Sequence, residues 1–272
     1  MPQTIGSLQK ALDVVEEMAR CGESVGISEL SRRLGLAKNQ VFRVLKTLEQ
    51  YDYVHQQPDK TYRIGFKFFE IGQRVIRQHD LVNVAVPVMD ELRDATGESI
   101  HLVVRDGLLG VCVARRDSPA MIRMSAEVGR RYLLHAGACP KALLAFQSPA
   151  VIEAVLARYG QPAYTERTIT DPELLRVHLQ EIRDRGYAIS DEDIDAHAYA
   201  IGVPIYDHEG QVAAAMSVAG PVFRLTRDKR PQVLAWLAVA GDRVSAAIGA
   251  PRLPSEGIPE LAGQLAAQER SA

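Results

Sequence analysis

Cysteine is scarce, with Cys21, Cys112 and Cys139 the only three in 272 residues. Their number is odd and their spacing scattered, with no CxxC pair, which excludes a disulfide framework and fits a reducing compartment. Long hydrophobic runs are lacking as well. His, Gly, Pro or a charged residue interrupts every apolar stretch before the roughly eighteen residues needed to span a bilayer. Residues 1–10 also lack the apolar core of a signal peptide. The expectation is a cytoplasmic protein with no membrane partner. No internal repeat stands out. Net charge is small too, formally −2, which argues superficially against a nucleic-acid partner. The charge is unevenly placed, however: residues 1–79 hold 12 Lys/Arg against 9 Asp/Glu, a net of +3, and residues 80–272 hold 20 against 25, a net of −5. A phosphate-binding module fused to a non-binding domain would show this asymmetry. The composition, 47% hydrophobic and 24% charged, is that of an ordinary soluble protein. Its length suggests two domains, each able to bury a core.

What is present is most informative between residues 28 and 65. Ser28 suits the N-cap of a short helix to Leu34, with Glu29 in its first turn and Leu30 and Leu34 on one face. Gly35 supplies a turn, and a second helix runs from Lys38 to Gln50. There Val41, Val44, Leu45 and Leu48 repeat at helical spacing, with Asn39, Arg43 and Lys46 on the opposite side. Two short strands, 53–56 and 60–64, meet at Pro58-Asp59 and carry Lys60 and Arg63. Helix, turn, helix and β-ribbon in this order describe a winged helix-turn-helix, a unit that lies on DNA. Lys38, Asn39, Gln40 and Arg43 occupy the turns that read bases and fix register, and the Asn39-Gln40 amides suit adenine. Lys46, Lys60 and Arg63 suit phosphates.

Upstream, residues 7–20 form an amphipathic helix whose Leu8, Leu12, Val15 and Ala19 make one apolar stripe that completes a three-helix core. Downstream, residues 65–77 form a helix in which Phe66, Phe68, Phe69, Ile71, Val75 and Ile76 cover more than one face. That is too much apolar surface for a solvated linker, so the helix is expected to pack against a second subunit or between its own two domains. From residue 80 the pattern is mixed. Helices are expected at 84–96, 140–146, 149–159, 172–186 and 227–249. Strands are expected at 99–105 and 108–115, joined by Asp106-Gly107, and at 120–125, 188–190, 198–206 and 211–219. The fold class is therefore α+β, with helices packed on an antiparallel sheet. The Pro-, Gly-, Ala- and Gln-rich tail, 251–272, is expected to be poorly ordered apart from a short helix at 258–268.

Four separated segments, in order, resemble the IclR-type transcriptional regulators: GISELSRRLGLAKNQVFRVLKTLEQYDYV, YRIGFKFFEIG, LHAGACPKALLA, and RGYAISDED with AIGVPIYDHEGQVAAAMSVAGP. The resemblance implies a DNA-binding domain (1–64), a linker and dimerisation helix (65–79) and a GAF-like effector-binding domain (80–250). It also implies a homodimer or dimer of dimers that binds operator DNA and a small-molecule effector, with no enzymatic activity and no cofactor. Carried over residue by residue, the effector loop is Ala138-Cys139, whose N–H groups at a helix start can hold a carboxylate or carbonyl oxygen. The remaining matched positions are Met121, Met124, Tyr132, Ser190, Ala198, Ala200, Ser217 and Ala219, with His101 and His197 as possible polar additions. Relatives that bind small 2-oxo acids place an aspartate, a cysteine and two serines where this chain has Ser190, Ala200, Ser217 and Ala219. With that hydrogen-bonding capacity reduced, a larger or more apolar acid, aromatic or aliphatic, is expected.

Two other functions compete. Cys139 lies four residues after His135, so a thiol nucleophile activated by an imidazole and a helix N-terminus is conceivable, although no third group is evident. His101, Cys112, His135, Cys139 and His197 contain metal-ligating types, but at no standard ligand spacing.

Overall fold

A computed structural model of the chain describes residues 4–78 and 80–251, with side chains described outside 73–80. The chain divides into two compact units, Met1–His79 and Asp80–Ala272.

In the first unit, α1 (Gly6–Cys21), α2 (Ile27–Leu34) and α3 (Lys38–Gln50) precede the hairpin of β1 (Val54–Gln56) and β2 (Tyr62–Ile64). Val25 pairs with Tyr62 as an isolated bridge, a residual third strand of the wing. The core gathers Val14, Met18, Leu30, Val41, Leu45, Val54 and Tyr62. The face of α1 that enters it therefore carries Val14 and Met18. Of the expected stripe, Leu8, Leu12 and Ala19 are exposed and Val15 is only half-buried. Both stripes have helical spacing, and only the tertiary contacts decide between them. Glu17 is buried on the inner side because Arg33 of α2 reaches it at 3.1 Å and Arg20 at 3.0 Å. The N-cap of α2 is Gly26, not Ser28, and no side chain caps it. Gly35 ends α2 in the left-handed conformation at φ +65°, as a helix C-terminus favours. At the wing tip the Asp59 carboxylate accepts from the backbone and hydroxyl of Thr61, at 3.0 and 2.6 Å, and holds Lys60 at φ +68°. Beyond the wing lies α4 (Lys67–Gln78). Phe68 packs edge-on against Tyr53, with centroids 4.8 Å apart, whereas Phe66, Phe69 and Ile71 are exposed. The side chains of Val75 and Ile76 lie outside the described residues.

The second unit is a six-stranded antiparallel sheet between two helical layers. Its elements are α5 (Asp80–Thr96), β3 (Ser99–Asp106), β4 (Leu109–Arg116), β5 (Arg131–Leu133), α6 (Ala138–Ala145), α7 (Pro149–Tyr159), α8 (Pro172–Arg185), β6 (Ala188–Asp191), β7 (Ala198–Tyr206), β8 (Val212–Pro221) and α9 (Arg230–Ala247). The strand order is β5-β4-β3-β8-β7-β6. Period-two alternation sorts the strands between two cores. Ile100, Leu102, Ile201, Val203, Met216 and Val218 face α5 and α9. Val103, Ala188 and Ala215 face α6, α7 and α8.

Two expectations are corrected here. The segment 120–125 is irregular, with its carbonyls taken by side chains: Ser99 donates to Met124 O at 2.6 Å and Arg224 to Ile122 O at 2.7 Å. The strand that extends this edge is instead β5, paired with β4 through Gly110↔Tyr132. The β3–β4 turn residues are Gly107 and Leu108, since Asp106 already pairs with Leu109. The expected helix at 258–268 lies outside the described residues.

Candidate functional site

On the first unit, Lys38, Asn39, Arg43, Lys60 and Arg63 are exposed, and none of them forms an ion pair among the described residues. α3 turns Val41 and Leu45 inward, so Asn39 and Arg43 share the outward side, while Gln40 is half-buried beside α1. Lys46 differs from the expectation of a free phosphate ligand. Its ammonium sits 2.8 Å from Glu49 and 3.3 Å from Gln56 and lies over the rings of Phe42 and Tyr62. Phe42, exposed three residues after Asn39 and four before Lys46 on the outward side of the same helix, was not singled out from the sequence.

On the second unit, ten of the eleven expected effector positions line one cavity of about 100 Å³: His101, Met124, Tyr132, Ala138, Cys139, Ser190, Ala198, Ala200, Ser217 and Ala219. A water requires roughly 10–15 Å³ on the same measure, so the space admits a small organic molecule. Register explains the convergence. His101 pairs with Ser217, Ser217 with Gly202, Ala219 with Ala200, and Ala200 with Ser190, so side chains from four strands share one face. The start of α6 closes that face. A Cβ on Gly202 would lie 2.9 Å from the carbonyl carbon of Ala138, so only glycine permits this approach. Met121 is the exception among the eleven, 97% exposed on the irregular segment. His197 also stays outside, its exposed side chain near Glu192.

Burial sets the electrostatics. It pushes the Cys139 thiol up to about 12, and that thiol donates to the Ala215 carbonyl at 3.4 Å. The imidazole of His135 is meanwhile bound to Pro162 O at 2.9 Å and stacked on Tyr164. This arrangement contradicts an activated thiolate. Among the described residues no three His, Cys, Asp or Glu side chains are grouped to hold a metal ion. Helix geometry leaves the N–H groups of Ala138 and Cys139 without intrahelical acceptors, and Gly137 offers no side-chain cap. An oxygen-bearing ligand matches that deficit.

Lys141 and Asp193, which sequence reasoning passed over, brace this corner. The Lys141 ammonium lies 2.5 Å from the Asp193 carboxylate, both side chains are almost wholly buried, and burial lowers the lysine's pKa against the opposing pull of Asp193. Asp193 also accepts from Gly137 N at 3.3 Å and from the Ser190 hydroxyl. One available signal was that residues 138–145 offer no polar face, leaving Lys141 nowhere to go but inward.

Burial lowers the His101 imidazole from 6.5 to about 4. The folded state thus binds fewer protons than the unfolded chain. Its contribution to stability is whole above pH 6.5 and is lost as the pH falls towards 4. The loss is on the order of 3 kcal/mol. Burial shifts His178 in the same direction, also to about 4. Melting temperatures between pH 7.5 and 4.5 should therefore fall, and less steeply in His101→Gln. An equal slope in that variant would remove His101 as a source.

This arrangement recurs in known proteins. Residues 7–58 match the model of the IclR helix-turn-helix domain, and residues 73–246 that of the bacterial transcriptional regulator IclR C-terminal domain. The chain is 34% identical to the HTH-type transcriptional regulator KipR of Bacillus subtilis, over 83% of this chain and 90% of that protein. It is 32% identical to the HTH-type transcriptional regulator KdgR of Escherichia coli, over 91% and 94%. The crystal structure of an IclR homolog from Microbacterium hydrocarbonoxydans, complexed with 4-hydroxybenzoate, superposes with a TM-score of 0.77 at 25% identity, covering 89% of this chain and 98% of that one. No described helix is long and apolar enough to cross a membrane. With both halves matched in order and relatives above 30% identity along most of its length, the chain belongs to the IclR family of bacterial transcriptional regulators.

Proposed function

We propose that the protein binds two-fold symmetric operator DNA as a homodimer or dimer of dimers and is switched by an aromatic or aliphatic carboxylic acid. In this reading residues 1–64 hold DNA, 65–79 join subunits and 80–250 hold the effector. Arg43, Asn39 and Gln40 read bases, while Lys38, Lys60 and Arg63 neutralise phosphates. The carboxylate sits on the Ala138 and Cys139 amides, where the helix start favours an anion. A second copy covers exposed Phe66 and Phe69 at the start of α4. The observation that carries the effector reading is the convergence of ten candidate positions on one cavity at the start of α6. Its walls include Val103, Pro140, Ile194, Ala198, Ala200 and Ala219, which favour apolar substance, with Arg130 and Asp195 as the charged groups of the lining. The 4-hydroxybenzoate held by the Microbacterium homolog is an acid of this kind. The acid would act by binding one quaternary arrangement better than another, changing the spacing of paired winged helices.

Thermal-shift screening against aromatic, aliphatic and small 2-oxo acids tests the assignment, since a ligand at about 100 times its Kd adds roughly 2.7 kcal/mol. Shifts with the larger acids are expected. Shifts with pyruvate or glyoxylate alone would overturn the chemistry read from Ala200 and Ala219.

A further inference from the structure

The outward side of α3 carries one residue that the operator reading leaves unused. Asn39, Phe42, Arg43 and Lys46 stand at i, i+3, i+4 and i+7, so they form one stripe on the side away from buried Val41 and Leu45. Among the large apolar side chains of α3, Phe42 alone is exposed, at 44%. A single exposed apolar side chain is ordinary on a protein surface, and its place is what gives this one meaning. Within a helical turn of it lie Lys38, Asn39, Arg43 and Lys46, all exposed. A phenyl ring set among three cations and an amide is ill suited to an apolar partner protein, which would have to desolvate those charges. It suits a polyanion that presents an apolar spot between its phosphates. The ring is also held. Lys46 places its ammonium 6.0 Å from the Phe42 ring centroid while bound to Glu49 at 2.8 Å and to Gln56 of the wing at 3.3 Å, so one flank of the ring is fixed before any partner arrives.

Resting on the reading of this face as the operator contact, we propose that Phe42 is a specificity-determining residue that packs against the 5-methyl group of a thymine in the major groove. That methyl is the apolar feature base edges present there, and it separates thymine from cytosine at the same ring position. The stripe then reads by two chemistries. The Asn39 amide and the Arg43 guanidinium answer to hydrogen-bonding groups on base edges, and the Phe42 ring answers to a methyl that neither of them can register. Burial of one methyl group is worth about a factor of four in affinity, so the contact is a modest discriminator in one half-site and a larger one in a symmetric pair. It carries no charge. Phosphate neutralisation by Lys38, Lys60 and Arg63 therefore proceeds without it, and the salt dependence of binding is independent of Phe42.

The test uses the full chain and duplexes carrying the motif that it selects from a randomised pool, with each thymine of the half-site replaced in turn, in both half-sites, by deoxyuridine. Deoxyuridine lacks only the methyl and pairs as thymine does. In the unsubstituted protein the replacement at one position should weaken binding roughly fifteenfold, about fourfold per half-site. In Phe42→Ala the same replacement should change affinity by less than about twofold, and the slope of log K against log salt should stay as it was. Phe42→Ser serves in its place should the alanine variant not fold. A selected motif in which no thymine responds to loss of its methyl would overturn the role of Phe42 while leaving the operator reading intact. So would a response that persists undiminished in Phe42→Ala, and a variant that weakens thymine and uracil duplexes alike would assign Phe42 to a contact between copies of the chain. No selected motif at all would overturn the operator reading and this inference with it.

Discussion

Replacing Lys141 by methionine should destabilise the second unit by about 3–5 kcal/mol, the cost of leaving a buried charge without its partner. Asp193 would keep only the Gly137 N–H and the Ser190 hydroxyl as donors, in a corner closed to water. The effect should reach beyond stability. Asp193 holds both the turn before α6 and the Ser190 wall of the cavity, so acid binding should weaken at temperatures where the variant is still folded. Gly137 makes the corner unforgiving. It sits at φ +89°, and a Cβ there would meet Ile194 at 2.6 Å, so the turn has no room to shift. Pairing Lys141→Met with Asp193→Asn removes the stranded charge and should restore at least half of the lost stability in guanidinium denaturation. A loss under about 1 kcal/mol for the single variant would mean that the pair contributes no more than an exposed ion pair.

The second large effect is expected on DNA. Lys38, Lys60 and Arg63 are exposed cations without intramolecular ion pairs among the described residues. If each neutralises one phosphate, the triple alanine variant should flatten the slope of log K against log salt by about 2.7 per winged helix. Affinity at 0.1 M salt should fall roughly 500-fold per winged helix, since each contact contributes about 0.9 log units there. Lys46→Ala should do much less, because its ammonium is already committed to Glu49 and Gln56. A triple variant with an unchanged salt slope would mean that this face does not meet phosphates.

The elements that were legible in the sequence are those whose signals are local. α3, α7 and β7 lie at the residues expected from periodicity, from Pro149 in a first turn and from the run 198–206. The failures share another cause, in that distant contacts chose between locally equal options. On α1, two stripes with the same spacing were available, and packing against Leu30, Val41 and Leu45 selected the one with Val14 and Met18. At 120–125 the alternation of apolar residues reads as a strand, yet side chains from Ser99 and Arg224 satisfy its carbonyls in place of a neighbouring strand. Met121, carried over like the other positions from the family resemblance, is exposed on this irregular segment, whereas Met124 of the same segment lines the cavity. The remaining cavity positions came from family resemblance, and strand register explains why they converge. Lys141 and Asp193 stayed hidden because 52 residues separate them and because charged residues in a run such as Ser190-Asp191-Glu192-Asp193 look like solvated surface.

The most direct test of the protein as an operator-binding regulator is selection of bound duplexes from a randomised DNA pool by the full chain at physiological salt. The account predicts enrichment of a two-fold symmetric motif whose half-sites are separated by about one helical turn, or a multiple of it, with A·T pairs opposite Asn39 or Gln40. Retention of all sequences alike, with no motif emerging over successive rounds, would contradict it.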